Sequence, residues 1–266
     1  MKSRCIIALL AVVLFGLNTS LSQRTKEVKK TVDLNTDGRV SIDTYKGSIT
    51  IDTWEKARVE IAAKIEPDGW SREDERNVQE TEIRIDDSPN RLRIESDYDR
   101  LKRHRSHSFF GLFSDENNLT LPFVHYTITM PRTAKLEIND YKSESRITNL
   151  RAPLRMETYK GSVVVNNLAG SINLTTYKGE VNIDVTQLVG DSKVETKKGR
   201  INIDLDSSAG CKLDVNLGRH ANFQSDFETV VRTKHRGEER YHASINGGGP
   251  LLRIESEKGE VCLRKK

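Results

Sequence analysis

Signatures of chemistry are scarce in this 266-residue chain. It has three cysteines, Cys5, Cys211 and Cys262, and neither a Cys-x-x-Cys nor a His-x-x-x-His spacing. That excludes a zinc cluster of the usual kind, and no metal is expected. There is no Gly-x-Ser-x-Gly elbow and no phosphate-cradling Gly-rich loop, so neither a hydrolase nucleophile nor a nucleotide cofactor is indicated. Net charge is small: 43 Lys and Arg against 39 Asp and Glu give +4. A total so close to neutral argues against a nucleic-acid partner. The one long apolar run, Ile6–Leu17, is too short for a membrane span.

That run instead reads as an export signal over Met1–Ser22. Lys2 and Arg4 give the positive start, and Ser20 and Ser22 are the small residues before a cut. Cleavage would leave Gln23 first and lower the charge to +2 (4 − 2). Cys211 and Cys262 then remain. They could pair in an oxidising compartment, but two cysteines do not make a disulfide framework. Residues 23–31 read as a flexible lead-in, 32–263 as one domain and 264–266 as a solvated tail.

What the chain has in abundance is repetition. TYKGSVVV, TYKGEVNI and TKKGRINI follow one another with glycines at Gly161, Gly179 and Gly199, in steps of 18 and 20 residues. TYKGSITI stands far upstream at Thr44–Ile51 and SEKGEVCL near the end at Ser256–Leu263. Asp140-Tyr141-Lys142-Ser143 is a worn copy 18 residues before Gly161, and Gly218 continues the period beyond Gly199. Such a period with alternating apolar residues predicts an all-β chain, a single-stack β-solenoid (β-helix-like) with coils of about 18–20 residues.

Columns counted from the glycine sharpen the expectation. Three before it stand Thr44, Thr158, Thr176, Thr196 and Ser256; five before, Ile42, Met156, Leu174, Val194 and Ile254. Two after it stand Ile49, Val163, Val181, Ile201 and Val261. From the inward Thr to the next inward residue is an odd step, which a straight strand cannot take without changing face. The Lys-Gly pair is therefore a corner or bulge between two strands per repeat, with like residues stacked about 4.8 Å apart.

Elsewhere, Ser71–Glu80 predicts a short helix near 71–80, capped by Ser71 with Asp74 in place of the capping-box Glu. Strands at Glu82–Asp86 and Arg91–Glu95 flank Ser88-Pro89-Asn90, a three- to four-residue hairpin loop. Residues 98–119 break the pattern as a loop insertion, basic then aromatic.

Three surfaces are candidates for function. The insertion offers a contact loop through Arg100, Lys102, Arg103, Arg105, Phe109, Phe110 and Phe113, facing an anionic surface or lipid headgroups, or simply tucked over a solenoid end. The outward columns offer a stripe of Tyr45, Lys46, Tyr159, Lys160, Tyr177, Lys178 and Lys198, which either balances charge and guards the edges or grips an anionic polymer or glycan. Asp52, Asn166, Asp184 and Asp204 form an expected ladder. Asp184 and Asp204, one coil apart, would be the acidic pair if the chain were a carbohydrate-active enzyme.

The order of features resembles the bacterial "putative adhesin" domain family of exported β-solenoids. Gly47-Ser48-Ile49-Thr50-Ile51 leads into Asp52-Thr53-Trp54, then a charged helical segment, RIDD and LRIES strands, Ile128-Thr129-Met130-Pro131, KLEIND and the Lys-Gly coils, over about Val32–Leu263. Ser143 at one corner and the insertion near Phe109 depart from it. The resemblance implies a non-catalytic binding, adhesion or scaffolding module at the cell envelope, in the periplasm or on the surface, without cofactor. Its partner would be an envelope protein, a glycan or a lipid surface. The alternative is an envelope-stress or assembly partner docking through loop 100–113.

Overall fold

The structure is a computed structural model and describes residues 24–101, 120–228, 230–235 and 238–266. The expected leader at 1–22 lies outside the described residues. Strands run β1 Lys26–Asp33, β2 Arg39–Asp43, β3 Lys46–Trp54 and β4 Arg58–Glu66, followed by helix α1 Arg72–Glu80. Then come β5 Glu82–Ser88, β6 Arg91–Asp97, β7 Phe123–Pro131, β8 Lys135–Thr148, β9 Leu154–Gly170 and β10 Ile172–Leu188. The last five are β11 Ser192–Leu205, β12 Cys211–Ser225, β13 Val231–His235, β14 Glu238–Ile245 and β15 Leu251–Lys265.

The stack is parallel and in register. Gly179 pairs with Gly161 on one side and Gly199 on the other, and Gly199 pairs with Gly259. Val181 lies between Val163 and Ile201, and Ile201 meets Val261. These apolar columns are fully buried, as are Ile42, Met156, Leu174, Val194 and Ile254 five residues before each glycine. The alternation read from the sequence is thus the inside–outside alternation of the coils.

Each repeat is one long bent strand rather than two: β9 and β10 run unbroken for 17 residues each. Pairing survives the bend because the neighbouring coil bends at the same place. The Tyr141 and Lys142 amides both donate to the Tyr45 carbonyl oxygen, at 3.2 and 2.7 Å, which is the two-against-one pattern of a bulge. Gly47, Gly161, Gly199 and Gly259 hold φ between 132° and 146° there, a region that side chains rarely enter.

Chain order and stacking order differ at both ends. The upstream copy, β2 with β3, lies between β8 on one side and β6 with β7 on the other. The last copy, β15, is not the end of the stack: it is inserted between β11 and β12, and β14 and β13 continue outward from β12. At the opposite end β4 pairs onto β7, β1 onto β4, and β5 onto β6, all antiparallel.

Smaller expectations need correction. Lys26–Thr31, expected in a flexible lead-in, pair along their whole length with β4, whose outer edge would otherwise lack partners. The expected tail is tied down: Arg264 and Lys265 pair with Asp204 and Leu205, and the Lys266 amide donates to the Leu205 carbonyl at 2.9 Å. The β5–β6 turn is shorter than expected, since Ser88 pairs with Arg91 across Pro89 and Asn90. Helix α1 has its capping box: the Asp74 amide donates to Ser71 Oγ at 3.1 Å and the Ser71 amide to Asp74 Oδ2 at 3.0 Å. Residues 99–101 are also helical. Cys211 and Cys262 are buried free thiols, and burial pushes the Cys211 thiol up to about 11.

Candidate functional site

The bend brings the outward columns into a ridge along the stack. Tyr45, Tyr141, Tyr159 and Tyr177 are stacked in that order, with ring centroids 4.6, 4.9 and 4.6 Å apart and planes within 9° to 11° of parallel. The spacing is that of the strands themselves, so the sheet sets the stack. Beyond Tyr177 the column becomes cationic: Lys197 Nζ and Lys198 Nζ lie 5.8 and 5.7 Å from its ring centroid. Lys197 then reaches Glu257 at 3.8 Å.

Beside the rings runs a column of one sign. Lys142, Lys160, Lys178, Lys198 and Lys258 pair strand to strand in unbroken register, and His220 follows opposite Lys258. None of these five lysines forms an ion pair with a described residue; Lys160 Nζ lies 5.2 Å from the Tyr159 centroid. Lys46, expected in the stripe, is not part of this surface. It is 9% exposed, paired with Asp68 Oδ2 at 2.8 Å and set over the Phe123 ring at 4.4 Å. The antiparallel cap at that end folds over it.

Tyr141 and Lys142 complete the ridge and were absent from the expected stripe. The worn corner around Ser143 carried the signal. Its Tyr-Lys pair sits in the same two columns even though the glycine is lost.

The tyrosine faces are closed. Tyr141 and Tyr159 have a ring on each side, and Tyr45, Tyr141 and Tyr159 are only 38%, 37% and 37% exposed. A sugar ring stacks on an open aromatic face, and within the stack only ring edges and hydroxyls remain. The exposed charge on the ridge itself is the ammonium column, with Glu180 and Glu260 in the concavity beside Lys178, Lys198 and Lys258 and Glu157 and Glu195 on the tyrosine side.

Asp140 occupies the inward hydroxyl column between Thr44 and Thr158. Burial pushes its carboxyl up to about 7, against the pull of the Thr158 hydroxyl, which donates to Asp140 Oδ2 at 3.1 Å. Nearby, Thr44 Oγ1 lies 2.8 Å from Ser96 Oγ, and that atom 2.7 Å from the Tyr126 hydroxyl. Burial raises the pKa of Tyr126 as well.

The described strands that flank the contact loop reach the same bend: Asp43 pairs with Glu95 before it and Gly47 with Val124 after it. Tyr98 and Leu101 at its start are buried, and Arg100 reaches Glu82 at 2.7 Å. Lys102, Arg103, Arg105, Phe109, Phe110 and Phe113 lie outside the described residues.

The expected Asp/Asn ladder is interrupted. Thr148, not Asp52, pairs with Asn166, and a bulge after Val165 takes Asn166 out of line with Asp184. Only Asp184 and Asp204 stand opposite each other. Asp184 Oδ2 is held by Lys266 Nζ at 2.6 Å, and Asp204 lies opposite Arg264 in the strand register. Among the described residues no three His, Cys, Asp or Glu side chains converge as metal ligands, and no helix is long and apolar enough to cross a membrane.

A family model described as Toastrack DUF4097 matches residues 100–263, more than half of the chain. Among solved structures, one described as a "putative cell adhesion protein" from Clostridium sporogenes is 16% identical. The match covers 91% of this chain and 100% of that one with a TM-score of 0.50, and it is a likeness of fold. A "putative adhesin" from Bacteroides fragilis is 12% identical, covering 91% and 97% of the two chains at a TM-score of 0.39. A "putative lipid binding protein" from Parabacteroides distasonis is 10% identical, covering 89% and 96% at 0.33. No curated protein matches significantly.

Proposed function

The chain belongs to the Toastrack DUF4097 family, and from that premise we propose that it is an exported, non-catalytic binding module of the cell envelope that holds a linear anionic polymer along the Tyr–Lys ridge. One observation carries the reading: Lys142, Lys160, Lys178, Lys198 and Lys258 stand in consecutive register without a carboxylate partner among the described residues. Neighbouring like charges repel by about 1 kcal/mol each at contact distances in water. A polyanion turns that repulsion into attraction, and the fixed repeat multiplies weak contacts along its length. The closed tyrosine faces favour this over a neutral glycan. The engagement of Asp184 by Lys266 speaks against an acidic catalytic pair. Residues 1–22 serve as the export signal in this reading.

The test is retention on immobilised dextran sulfate against plain dextran. The wild-type protein is expected to bind only the sulfated matrix and to elute with salt. Lys160→Glu/Lys178→Glu/Lys198→Glu should elute at distinctly lower salt. Equal elution of the two proteins, or retention on plain dextran, overturns the reading. Because the insertion starts at the same bend, deleting Arg100–Phe113 distinguishes the assembly-partner alternative: it spares dextran sulfate binding if the ridge is the site and abolishes binding if the loop is.

A further inference from the structure

The opposite bend of the coils carries a second, differently built concavity. It is a groove of about 680 Å³ lined by Arg132, Arg151, Asn149, Asn167, Thr186 and Gln187 among others. Its walls are rigid for local reasons. Leu150, Leu168 and Leu188 anchor successive turns in the core. Asn149 and Asn167 hold left-handed φ of 59° and 54°, which asparagine tolerates better than most residues. Thr53 Oγ1 donates to the Thr148 and Asn149 carbonyls at 3.2 and 2.9 Å, and Thr186 Oγ1 to the Leu168 carbonyl at 3.0 Å.

Two kinds of free chemistry remain. The first is a row of amides: Asn167 Nδ2 donates to Asn149 Oδ1 at 2.9 Å. That leaves Asn149 Nδ2 as donor and Asn167 Oδ1 as acceptor, with the Gln187 amide on the next coil. The second is an excess of guanidinium. The Arg151 amide donates to the Arg132 carbonyl at 2.7 Å, which places the two arginines on adjacent layers. Arg132 is ion-paired to Glu55, whereas Arg151 has no ion pair with a described residue. Two cations therefore face one carboxylate.

We propose that this groove binds a short acidic oligosaccharide, with the uronate carboxylate on Arg151 and the ring hydroxyls on the amides of Asn149, Asn167 and Gln187. The volume suits a small ligand. Fixed amides that alternate donor and acceptor answer hydroxyl groups, and a guanidinium fork answers a carboxylate. The site does not depend on the ridge, which lies at the other bend.

Calorimetric titration of the purified protein with tri-galacturonate tests this, with neutral galactotriose and citrate as comparison ligands. Binding of tri-galacturonate alone is expected. Arg151→Gln, an exposed change that leaves the fold intact by circular dichroism, should weaken it at least tenfold, as loss of one charge-assisted contact implies. Asn167→Asp keeps the left-handed turn and sets a carboxylate among the amides, so it should weaken binding as well. Lys178→Glu on the ridge should leave it unchanged. The proposal fails if tri-galacturonate does not bind, if galactotriose or citrate binds as tightly, or if Arg151→Gln has no effect. An equal loss in Lys178→Glu would move the acid to the ridge and overturn it too.

Discussion

Gly179 lies directly against Gly161 of the preceding coil, so closely that a Cβ on Gly179 would stand 1.8 Å from the Gly161 carbonyl oxygen. Gly199 meets Gly179, and Gly259 meets Gly199, at the same 1.8 Å. The bend is thus a contact between backbones, and neither neighbour has a flexible side chain to move aside. Gly179→Ala should cost about 3 kcal/mol, the range of an overpacked core substitution. Gly190→Ala provides the contrast, because its new methyl would meet only the Ser171 side chain, Cβ at 3.6 Å and Oγ at 3.9 Å; a change within about 0.5 kcal/mol is expected. Urea denaturation of both variants measures the difference, and equal midpoints would refute the backbone-contact account.

Asp140 gives the fold a pH dependence of definite sign. Its carboxyl titrates near 7 when folded and near 3.9 in an unfolded chain, so the folded state binds the proton more tightly. Stability is unaffected by this group below about pH 4, falls as pH rises from about 4 to about 7, and is level above that, by at most about 4 kcal/mol. Asp140→Thr restores the residue that its neighbours Thr158 and Thr176 carry in the same column. It should raise stability at pH 8 and flatten the profile between pH 5 and 8. Denaturation midpoints at three pH values check both; a variant with the wild-type slope would show that Asp140 is not the titrating group.

The placement of β15 makes a sharper demand. Its two edges pair with β11 and β12 over almost its whole length, so the last strand described is an interior one. Removing 250–266 opens two parallel edges at once, and the shortened chain should lose cooperative unfolding and self-associate. A peptide spanning Leu251–Lys266 should restore a monomeric, cooperatively folding complex. The same peptide with Gly259→Ala should not, since its Cβ would meet the Gly199 carbonyl oxygen at 1.8 Å. Size-exclusion chromatography with thermal melts decides; rescue by both peptides would mean that the bend contact is dispensable.

Much of this architecture is legible in sequence, because identical columns in neighbouring coils must face the same way. Thr158, Gly161 and Val163 announce the same three roles as Thr176, Gly179 and Val181, and the structure pairs them one to one. Order along the stack is not legible. SEKGEVCL is the last copy along the sequence yet lies inside the stack, since a strand carrying the column pattern fits equally well beside any other and only the connections decide. Charge environment is also hidden. Lys46 shares its motif with Lys160, but the cap built from β4 and the turn at Asp68 buries it. The groove at Arg151 is legible only in part: Asn149-Leu150, Asn167-Leu168 and Gln187-Leu188 repeat an amide–leucine pair in steps of 18 and 20 residues, but Arg132 and Arg151 share no such motif and only stacking brings them to it.

The lysine column predicts a trade between stability and binding. Lys178 has Lys160 on one side and Lys198 on the other, and none of the three forms an ion pair with a described residue, although Glu180 shares the concavity with Lys178 and Lys198. Lys178→Glu replaces two repulsions by two attractions. Without ligand, the variant should be more stable than wild type by up to about 1 kcal/mol at low ionic strength, the usual ceiling for exposed pairs. The gain should vanish in 0.5 M salt, roughly where screening shortens below the strand spacing. The same variant should bind dextran sulfate more weakly. A residue whose removal stabilises the free protein while weakening its complex is retained for the complex. Thermal melts at two salt concentrations, run beside the binding assay, separate this from a structural role, under which Lys178→Glu would lower stability at both.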